Sequence, residues 1–263
     1  MSIDLTAALA KRFSPLALDT SPGIVIELFG GPGTGKTDFA LRAPAPVLHF
    51  GFDYHGARRP ANRLMNAYPD QMKHVHTKVY PMKPRDRKAE PDEVAQRAMR
   101  DEVLVPFIQD FEFAVENGVR SLVIDTFDMM REAQVIAKFG KLEQNSQQAY
   151  QEINAETARL LHLARGSELV VILISRMKEE YKEVRVGDKM VSKSTGKMIP
   201  ASNLRVQHSV DARLETYMEG KEFMLRIYDA KTNKGVTGKT FEAPEVAPIL
   251  QQLKPDVDCA AWA

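Results

Sequence analysis

A glycine-rich octapeptide carries the clearest chemistry in this sequence. It comprises residues Gly30, Gly31, Pro32, Gly33, Thr34, Gly35, Lys36 and Thr37, and it matches the pattern G-x-x-x-x-G-K-[ST] in full. The glycines allow successive backbone N–H groups to point inward at phosphate oxygens. Lys36 is then placed to reach β- and γ-phosphates, and the Thr37 hydroxyl to coordinate Mg²⁺. The pattern predicts a site for ATP with Mg²⁺. The competing interpretation, a chance glycine-rich turn, leaves the Lys-Thr pair unexplained.

A Mg²⁺-nucleotide site also needs a carboxylate at the end of a neighbouring strand. The segment Leu122-Val123-Ile124-Asp125 has the form of a buried strand that ends in such a group. This pattern predicts that Asp125 is the Walker B aspartate and, with Thr37, a ligand of the metal. The alternative is an aspartate that only caps the helix that follows.

Hydrolysis would further require a residue that positions or deprotonates the attacking water. Asp53 follows the apolar segment 47–52, which we expect to form the strand beside the phosphate-loop strand. Asp53 is therefore a candidate for this role, and a turn aspartate is the alternative. His49 and His55 flank Asp53, but no third ligand is spaced for a metal, so both are interpreted as ordinary histidines.

A second polar strand end lies at Ser175, after the apolar run 169–175. Its hydroxyl is a candidate sensor of the γ-phosphate, and a plain strand-end serine is the alternative. Apolar strands that alternate with helical patterns predict an α/β fold with a mainly parallel sheet covered on both faces.

The element pattern places these candidates on one framework. We expect strands at 23–29, 47–52, 121–125 and 169–175, and helices at 35–42, 56–68, 92–115, 127–139 and 147–165. Pro106 should start a new helix or kink the old one. Beyond Ser175, hairpins at 180–192 and at 210–218 with 222–228 are expected to extend the same sheet as antiparallel strands, before a last helix near 244–253. The pattern favours a single domain over 1–263.

The amino-acid composition excludes several classes of function. Lys+Arg 36 against Asp+Glu 35 leaves a formal net charge of +1, which excludes a wholly basic nucleic-acid binder but not a local basic loop. The single cysteine, Cys259, excludes an internal disulfide and a cysteine zinc site. No apolar run approaches the roughly 20 residues of a membrane helix, and the first residues lack a secretory pattern. We expect a soluble, cytoplasmic protein.

The order of these motifs resembles a known group. The strand and GPGTGKT, then VLHFGFD, SLVIDTFDMM and VVILISR, resemble the phage-encoded RecA-like P-loop ATPases of the single-strand-annealing recombinase type, over roughly residues 22–240. The resemblance implies a RecA-like P-loop NTPase fold, ATP bound at the interfaces of a homo-oligomer, and single-stranded DNA as partner.

The resemblance also assigns roles to particular residues. Asp53 stands where that group usually has a catalytic Glu, and the shorter side chain puts the role or the rate in question. The family's strand-end sensor falls on Ser175. Its late basic motif falls on 229–235, which implies that Lys231 or Lys234 reaches the γ-phosphate of a neighbouring subunit. A solvated turn with two lysines is the alternative.

A DNA-binding segment is expected after the Ser175 strand. Residues 189–205 hold Lys189, Lys193, Lys197 and Arg205 with no acidic residue, which suits contact with a phosphate backbone. A second basic run lies at 83–88. Each run alone is also typical of a solvated loop.

Three functions compete on these observations. The leading hypothesis is a Mg²⁺-dependent ATPase that acts on single-stranded DNA in phage recombination or replication. A nucleotide-dependent assembly module without significant turnover is the second. The third is a small-molecule P-loop kinase, which usually carries an arginine-rich lid where this chain has a lysine hairpin.

Overall fold

A computed structural model of the 263-residue chain describes residues 21–53, 58–80, 82, 91–140, 147–186, 189–202 and 208–262. The strands are β1 (Ile24–Gly30), β2 (Val47–Gly51), β3 (Val75–Val79), β4 (Ser121–Asp125), β5 (Val170–Ser175), β6 (Met177–Val186), β7 (Lys189–Pro200), β8 (Ala212–Glu219), β9 (Glu222–Ala230) and β10 (Thr240–Glu242). The helices are α1 (Lys36–Ala40), α2 (Arg58–Ala67), α3 (Pro69–Met72), α4 (Asp92–Ala98), α5 (Val105–Glu116), α6 (Phe127–Phe139), α7 (Gln147–Gly166) and α8 (Val246–Leu253). A π-helical segment spans Met99–Leu104, and 3₁₀ turns span Lys234–Val236 and Cys259–Trp262.

The centre of the fold is an eight-stranded sheet in the order β10-β9-β8-β1-β5-β4-β2-β3. The strands from β8 to β3 in this order pair in parallel, while β9 and β10 join antiparallel at one edge. The expected α/β P-loop NTPase fold with a mainly parallel sheet is confirmed.

The sheet is covered on both faces because its inner strands are apolar at nearly every position. On one face, side chains such as Leu28 and Ile172 pack with Phe39 of α1 and with α8. On the other face, alternate side chains such as Val171 pack with α5, α6 and α7. Continuous apolar strands therefore reflect burial on two sides, as a parallel sheet requires.

One predicted neighbour relation is wrong. We expected the strand 47–52 to lie beside the phosphate-loop strand, but β5 and β4 lie between β1 and β2. Both β2 and β1 are apolar, so strand order could not be read from their composition. β2 instead pairs with β4, with Gly51 in register with Asp125.

The two predicted hairpins behave differently. The second is confirmed, since β8 ends at Glu219 and β9 begins at Glu222, although β8 enters the sheet parallel to β1. The first does not extend the central sheet, which corrects our expectation: β6 and β7 form a separate two-stranded sheet. We call it the ribbon (Met177–Val186 and Lys189–Pro200). Its described side chains are mostly exposed, so no apolar face draws it onto the core.

The helices follow the predicted order, and the bounds of α6 agree with the predicted 127–139. Pro106 lies in the first turn of α5, directly after a π-helical segment that continues from α4, so the chain changes its helical geometry just before the proline. The first helix is only Lys36–Ala40, ending before the prolines that close the predicted 35–42 segment. Within the described residues, no helix is both long and apolar enough to cross a membrane.

Candidate functional site

The glycine-rich loop leaves β1 at Gly30 and enters α1 at Lys36. Gly33 and Gly35 have φ of 75° and 78°, which is the left-handed region that side chains disfavour. At Gly30 an added Cβ would lie 2.2 Å from the Thr216 carbonyl oxygen of β8. The sequence pattern thus has two physical causes here, which are left-handed turns in the loop and close backbone contact at its start.

The loop is held in place by β8 and β9. Thr34 Oγ1 lies 2.8 Å from Thr216 Oγ1 and also donates to the carbonyl oxygen of Gly31 at 2.8 Å. A Cβ on Gly35 would lie 3.0 Å from the Phe223 ring. These contacts fix the loop in a curled form with its backbone close to the sheet.

Lys36 folds over this loop. Its Nζ donates to the carbonyl oxygens of Gly30 at 2.9 Å and Gly31 at 2.7 Å. Burial lowers the pKa of Lys36 from its ordinary value, while the negative charges of Asp125 and Asp128 act in the opposite direction. The ammonium group therefore lies in a partly desolvated position at the loop, where it favours an anion.

Thr37 and Asp125 meet across the sheet edge. The Thr37 hydroxyl donates to Asp125 Oδ2 at 2.8 Å, and Asp125 is 3% exposed at the end of β4. The structure thus brings together the two predicted Mg²⁺ ligands. Both offer oxygen, the donor type that Mg²⁺ takes from proteins. Within the described residues, no group of three or more His, Cys, Asp or Glu side chains is arranged for a metal ion.

Asp53 lies at the same edge of the sheet. The Phe52 N–H donates to the carbonyl oxygen of Asp125 at 2.6 Å, which holds the end of β2 against the end of β4. Asp53 follows directly and is partly buried. It is therefore next to the Asp125 strand rather than beside the phosphate-loop strand, and its role in activating water stays a prediction.

Ser175 is fully buried and faces Glu27 of β1. Its hydroxyl donates to Glu27 Oε1 at 3.0 Å, and Arg213 Nε of β8 donates to Glu27 Oε2 at 2.9 Å. The Arg213 guanidinium carbon also lies 5.4 Å from the ring centroid of Phe29 and 5.1 Å from that of Tyr228, and these two rings contact each other edge to face. Ser175 thus belongs to a buried polar network, and its proposed sensing of a γ-phosphate stays a prediction.

Arg176 ties the ribbon to α6. Its backbone N–H donates to Asp128 Oδ1 at 3.1 Å, its guanidinium pairs with Asp128 Oδ2, and it donates to Glu132 Oε1 at 3.0 Å. Burial lowers the pKa of Arg176, but the two carboxylates outweigh this effect and the net shift is upward. These contacts join the start of the ribbon to α6, the helix that follows β4 and Asp125.

The two late lysines lie away from this edge. The backbone N–H of Lys231 donates to the carbonyl oxygen of Asp211. The backbone N–H of Asp211 donates in turn to the carbonyl oxygen of Val25, near the start of β1. Lys231 Nζ donates to the carbonyl oxygens of His208 at 2.9 Å and Val210 at 2.7 Å, and burial lowers its pKa. Lys231 and the exposed Lys234 are thus at the opposite end of β1 from the glycine-rich loop. Any contact with a γ-phosphate would require a second copy, and that role stays a prediction.

The predicted DNA-binding lysines fall on the ribbon. The side chains of Lys193 and Lys197 are exposed on β7. Arg205 and the second basic run 83–88 lie outside the described residues, and so does the side chain of Lys189. The neighbouring strand β6 carries carboxylates beside this part of β7, since Glu179 is in register with Met198 and Glu183 with Ser192. The ribbon therefore carries both signs of charge, which the sequence of 189–205 alone did not indicate.

Sequence reasoning missed one residue of this edge, His49. It is 1% exposed, and its Nε2 lies 3.5 Å from Asp125 Oδ2. The signal in the sequence is a histidine within an apolar strand, two residues before the glycine that pairs with Asp125. It indicates this contact only once the pairing of β2 with β4 is known.

Fold and site together define a class. The sheet is parallel, with β5 between the loop strand and the Asp125 strand. The G-x-x-x-x-G-K-[ST] loop lies between a strand and a helix, and its Thr contacts the carboxylate of Asp125. These features define a P-loop nucleoside triphosphatase.

The sequence comparison agrees with this class. The profile of the AAA domain family matches residues 23–240, and the chain belongs to that family of AAA-type P-loop ATPases. A search of curated proteins gave no match. Family membership implies nucleotide binding and ATPase activity.

Proposed function

We propose that this chain hydrolyses ATP to ADP and phosphate with Mg²⁺, and that it does so on single-stranded DNA. The observation that carries the first part is the 2.8 Å hydrogen bond from Thr37 to Asp125 beside the Lys36 ammonium. These three groups are the ones that a triphosphate with its metal requires from the protein.

Thr37 and Asp125 would hold the Mg²⁺, and the metal would neutralise charge that develops on the phosphates during transfer. The backbone N–H groups of the loop and Lys36 would bind the phosphate oxygens. Water would be oriented by Asp53, which follows β2 where that strand is held against Asp125. An aspartate is one methylene shorter than glutamate, so we expect modest turnover without a partner that completes the site.

The DNA part of the proposal is supported by where the ribbon starts. It begins directly after Ser175, which is in register with Phe29 at the edge where the glycine-rich loop leaves β1. Lys193 and Lys197 are exposed on it, and lysine contacts with phosphates give binding without base readout. The resemblance of the sequence to phage recombinase ATPases supports single-stranded DNA as the polymer, and with it we propose a role in phage recombination or replication.

We further propose that the protein acts as a homo-oligomer with nucleotide at its interfaces. Lys231 and Lys234 lie at the far end of β1 from the loop. They would therefore act on the nucleotide of a neighbouring copy, whose loop edge would face this end of the sheet.

A nucleotide-dependent assembly module is the second candidate, and the ribbon's apolar side chains favour it. Four of them are about half exposed: Tyr181 (58%), Met190 (60%), Val191 (46%) and Met198 (55%). Exposed apolar side chains on one element are typical of a protein contact. In this alternative ATP binding fixes an interface, and turnover is negligible.

The rate of phosphate release with Mg²⁺, measured with and without single-stranded DNA, separates these functions. The proposal predicts turnover that single-stranded DNA stimulates and that Lys36→Ala abolishes. Equal rates with and without DNA, at saturating DNA and low salt, would contradict the DNA part alone. ATP-dependent oligomerisation without turnover would favour the assembly module, and turnover only with a phosphoryl acceptor would favour a kinase.

A further inference from the structure

His49 lies on the same face of the sheet as the metal-site carboxylate. In the register of the parallel strands, His49 pairs with Thr77 of β3, and Gly51 pairs with Asp125 of β4. Side chains two residues apart on a strand share a face, as do paired positions on neighbouring strands. Thr77, His49 and Asp125 therefore share one face, which is also the face of α1 and Thr37.

The contacts form a chain through the imidazole. His49 Nδ1 lies 2.9 Å from Thr77 Oγ1, and His49 Nε2 lies 3.5 Å from Asp125 Oδ2. The ring is 1% exposed, and within the described residues its Nε2 has no hydrogen-bond partner. A buried imidazole nitrogen without a partner is costly, and the nearest acceptor that this nitrogen faces is Asp125 Oδ2.

Gly51 makes room for this approach. A Cβ on Gly51 would lie 3.3 Å from His49 Cε1, so the ring would have to shift by a few tenths of an ångström. The absence of a side chain at Gly51 thus lets the ring extend over this position toward the next strand, where Asp125 is in register with it.

A neutral imidazole satisfies both ends of the chain. If the Thr77 hydroxyl donates to Nδ1, then Nε2 carries the ring's proton and faces the Asp125 carboxylate. Asp125 Oδ2 already accepts from Thr37, and a second donor at the same oxygen would fix the rotation of the carboxylate. The other oxygen, Oδ1, would then be held in one direction when a cation arrives.

We propose that His49 is a positioning residue that orients Asp125 for Mg²⁺ through its Nε2–H. This inference rests on the proposed function, since it assigns a task toward the same metal site. Groups that hold a metal-site residue in orientation typically change metal affinity by about tenfold or more when removed.

A pair of amide variants tests this proposal. In His49→Gln the side-chain nitrogen can approximate the position of Nε2, whereas in His49→Asn it approximates Nδ1 and leaves Asp125 without the donor. His49→Phe keeps the ring volume and removes both nitrogens. The readout is the affinity of a fluorescent, non-hydrolysable ATP analogue in Mg²⁺ and in EDTA, together with the Mg²⁺ concentration at half-maximal binding.

We expect the half-maximal Mg²⁺ concentration to rise about tenfold in His49→Asn and His49→Phe, with affinity in EDTA unchanged, and to stay near wild type in His49→Gln. Equal Mg²⁺ dependence in wild type and His49→Asn would overturn the proposal. Should the phenylalanine variant fail to fold, the Gln and Asn pair alone decides. Thermal unfolding in EDTA shows that each variant compared is folded.

Gly51→Ala supplies an independent test. Its Cβ should push the ring away from Asp125 and raise the half-maximal Mg²⁺ concentration, but only where His49 is present. The effects of Gly51→Ala and His49→Asn should therefore not add, and full additivity would contradict the proposal. If Mg²⁺ leaves the affinity of the wild type unchanged, the proposed metal site falls as well. If wild-type affinity depends on Mg²⁺ and on Asp125 but not on His49, only the positioning role falls.

Discussion

Thr37 Oγ1 donates to Asp125 Oδ2 at 2.8 Å across a separation of 88 positions in the chain. The contact exists because β1 leads into α1 through the glycine-rich loop, while β4 ends at the same edge of the parallel sheet with β5 between them. A hydroxyl and a buried carboxylate are thereby held in direct contact. The fold itself thus brings the two predicted Mg²⁺ ligands together.

Replacing Thr37 with Val should remove both the hydrogen bond and one metal ligand. We expect the free energy of unfolding in EDTA to fall by about 1–3 kcal/mol, because the buried carboxylate loses a donor. The gain in nucleotide affinity from Mg²⁺ should also be lost. Thr37→Ser keeps the hydroxyl and serves as the matched control. A Val variant with normal Mg²⁺ dependence would remove Thr37 from the site. Urea unfolding and nucleotide titration measure the two effects.

The pH dependence of nucleotide binding should report Lys36. Burial lowers the pKa of its ammonium in the free protein, and a bound triphosphate should raise it again. Binding therefore takes up a proton at pH values above the lowered pKa, and affinity should fall as pH rises through that value, below 10.5. Lys36→Arg keeps its charge in this range and should show a flatter profile. An unchanged affinity up to pH 10.5 in the wild type would contradict this assignment. Titration with a fluorescent ATP analogue at a series of pH values gives the result.

Asp53→Asn should separate binding from turnover. The amide keeps the size of the side chain but cannot accept a proton from water, so ATP affinity should stay within about twofold while hydrolysis slows by about 10²-fold or more. Asp53→Glu restores the side-chain length usual in the group that the sequence resembles, and it should hydrolyse ATP at least as fast as wild type. Normal turnover in the Asn variant would exclude Asp53 from the reaction. Single-turnover phosphate release distinguishes these outcomes.

The network of Ser175, Glu27 and Arg213 should matter for stability. Glu27 is fully buried, and Glu27→Leu would leave the Arg213 guanidinium without its partner, which should cost about 3–5 kcal/mol. Leucine at both Glu27 and Arg213 should recover most of that loss, since apolar pairs often replace buried ion pairs at little cost. Ser175→Ala should cost about 1–2 kcal/mol. Equal stability of Glu27→Leu and wild type in urea would show that the pair contributes little.

Ser175→Ala also tests the sensing role. A purely structural serine predicts a stability loss with normal turnover per folded molecule. A γ-phosphate sensor predicts slower hydrolysis even under conditions where the variant is fully folded. The ratio of hydrolysis rates at about 10 °C, near the usual temperature of maximum stability, decides between them.

Charge reversal on the ribbon should weaken DNA binding. Lys193→Glu with Lys197→Glu should lower affinity for single-stranded DNA and reduce the salt slope by about 0.7 for each DNA phosphate that the protein no longer neutralises. The matched control is charge reversal of Lys73 and Lys239, which changes net charge equally on other parts of the surface. If both double variants weaken binding to the same extent, net charge rather than the ribbon governs the affinity. Fluorescence anisotropy across a range of salt concentrations measures affinity and slope.

Much of the fold could be predicted because its inner strands are long apolar runs separated by helical periodicity. The limits of β4 agree with the expected 121–125, and the turn between β8 and β9 lies where Gly220 indicates it. The order of the strands in the sheet could not be predicted in this way, because β1, β2 and β5 have similar composition and nothing in their local sequence indicates which strands lie beside them. The sheet to which the ribbon belongs cannot be predicted either, because hairpin periodicity does not indicate which sheet a hairpin joins.

The candidate site shows the same division. The roles proposed for Lys36 and Thr37 follow from one contiguous motif, and the carboxylate of Asp125 follows from a strand that ends in an acid. The contacts of Ser175 with Glu27, and of His49 with Asp125, depend on which strands are neighbours. A glutamate within an apolar strand was a visible signal of a buried ion pair, but its partner Arg213 lies 186 positions away.

We propose that Asp125 and the glycine-rich loop form one Mg²⁺-dependent ATP-hydrolysing site. Phosphate release from ATP, followed across a Mg²⁺ titration for wild type and Asp125→Asn, tests it most directly. We predict saturable Mg²⁺-dependent release by the wild type, no release in EDTA, and a rate at least about 10²-fold lower in the variant. Release that is equal in the two proteins, or that persists without divalent cations, would contradict the account.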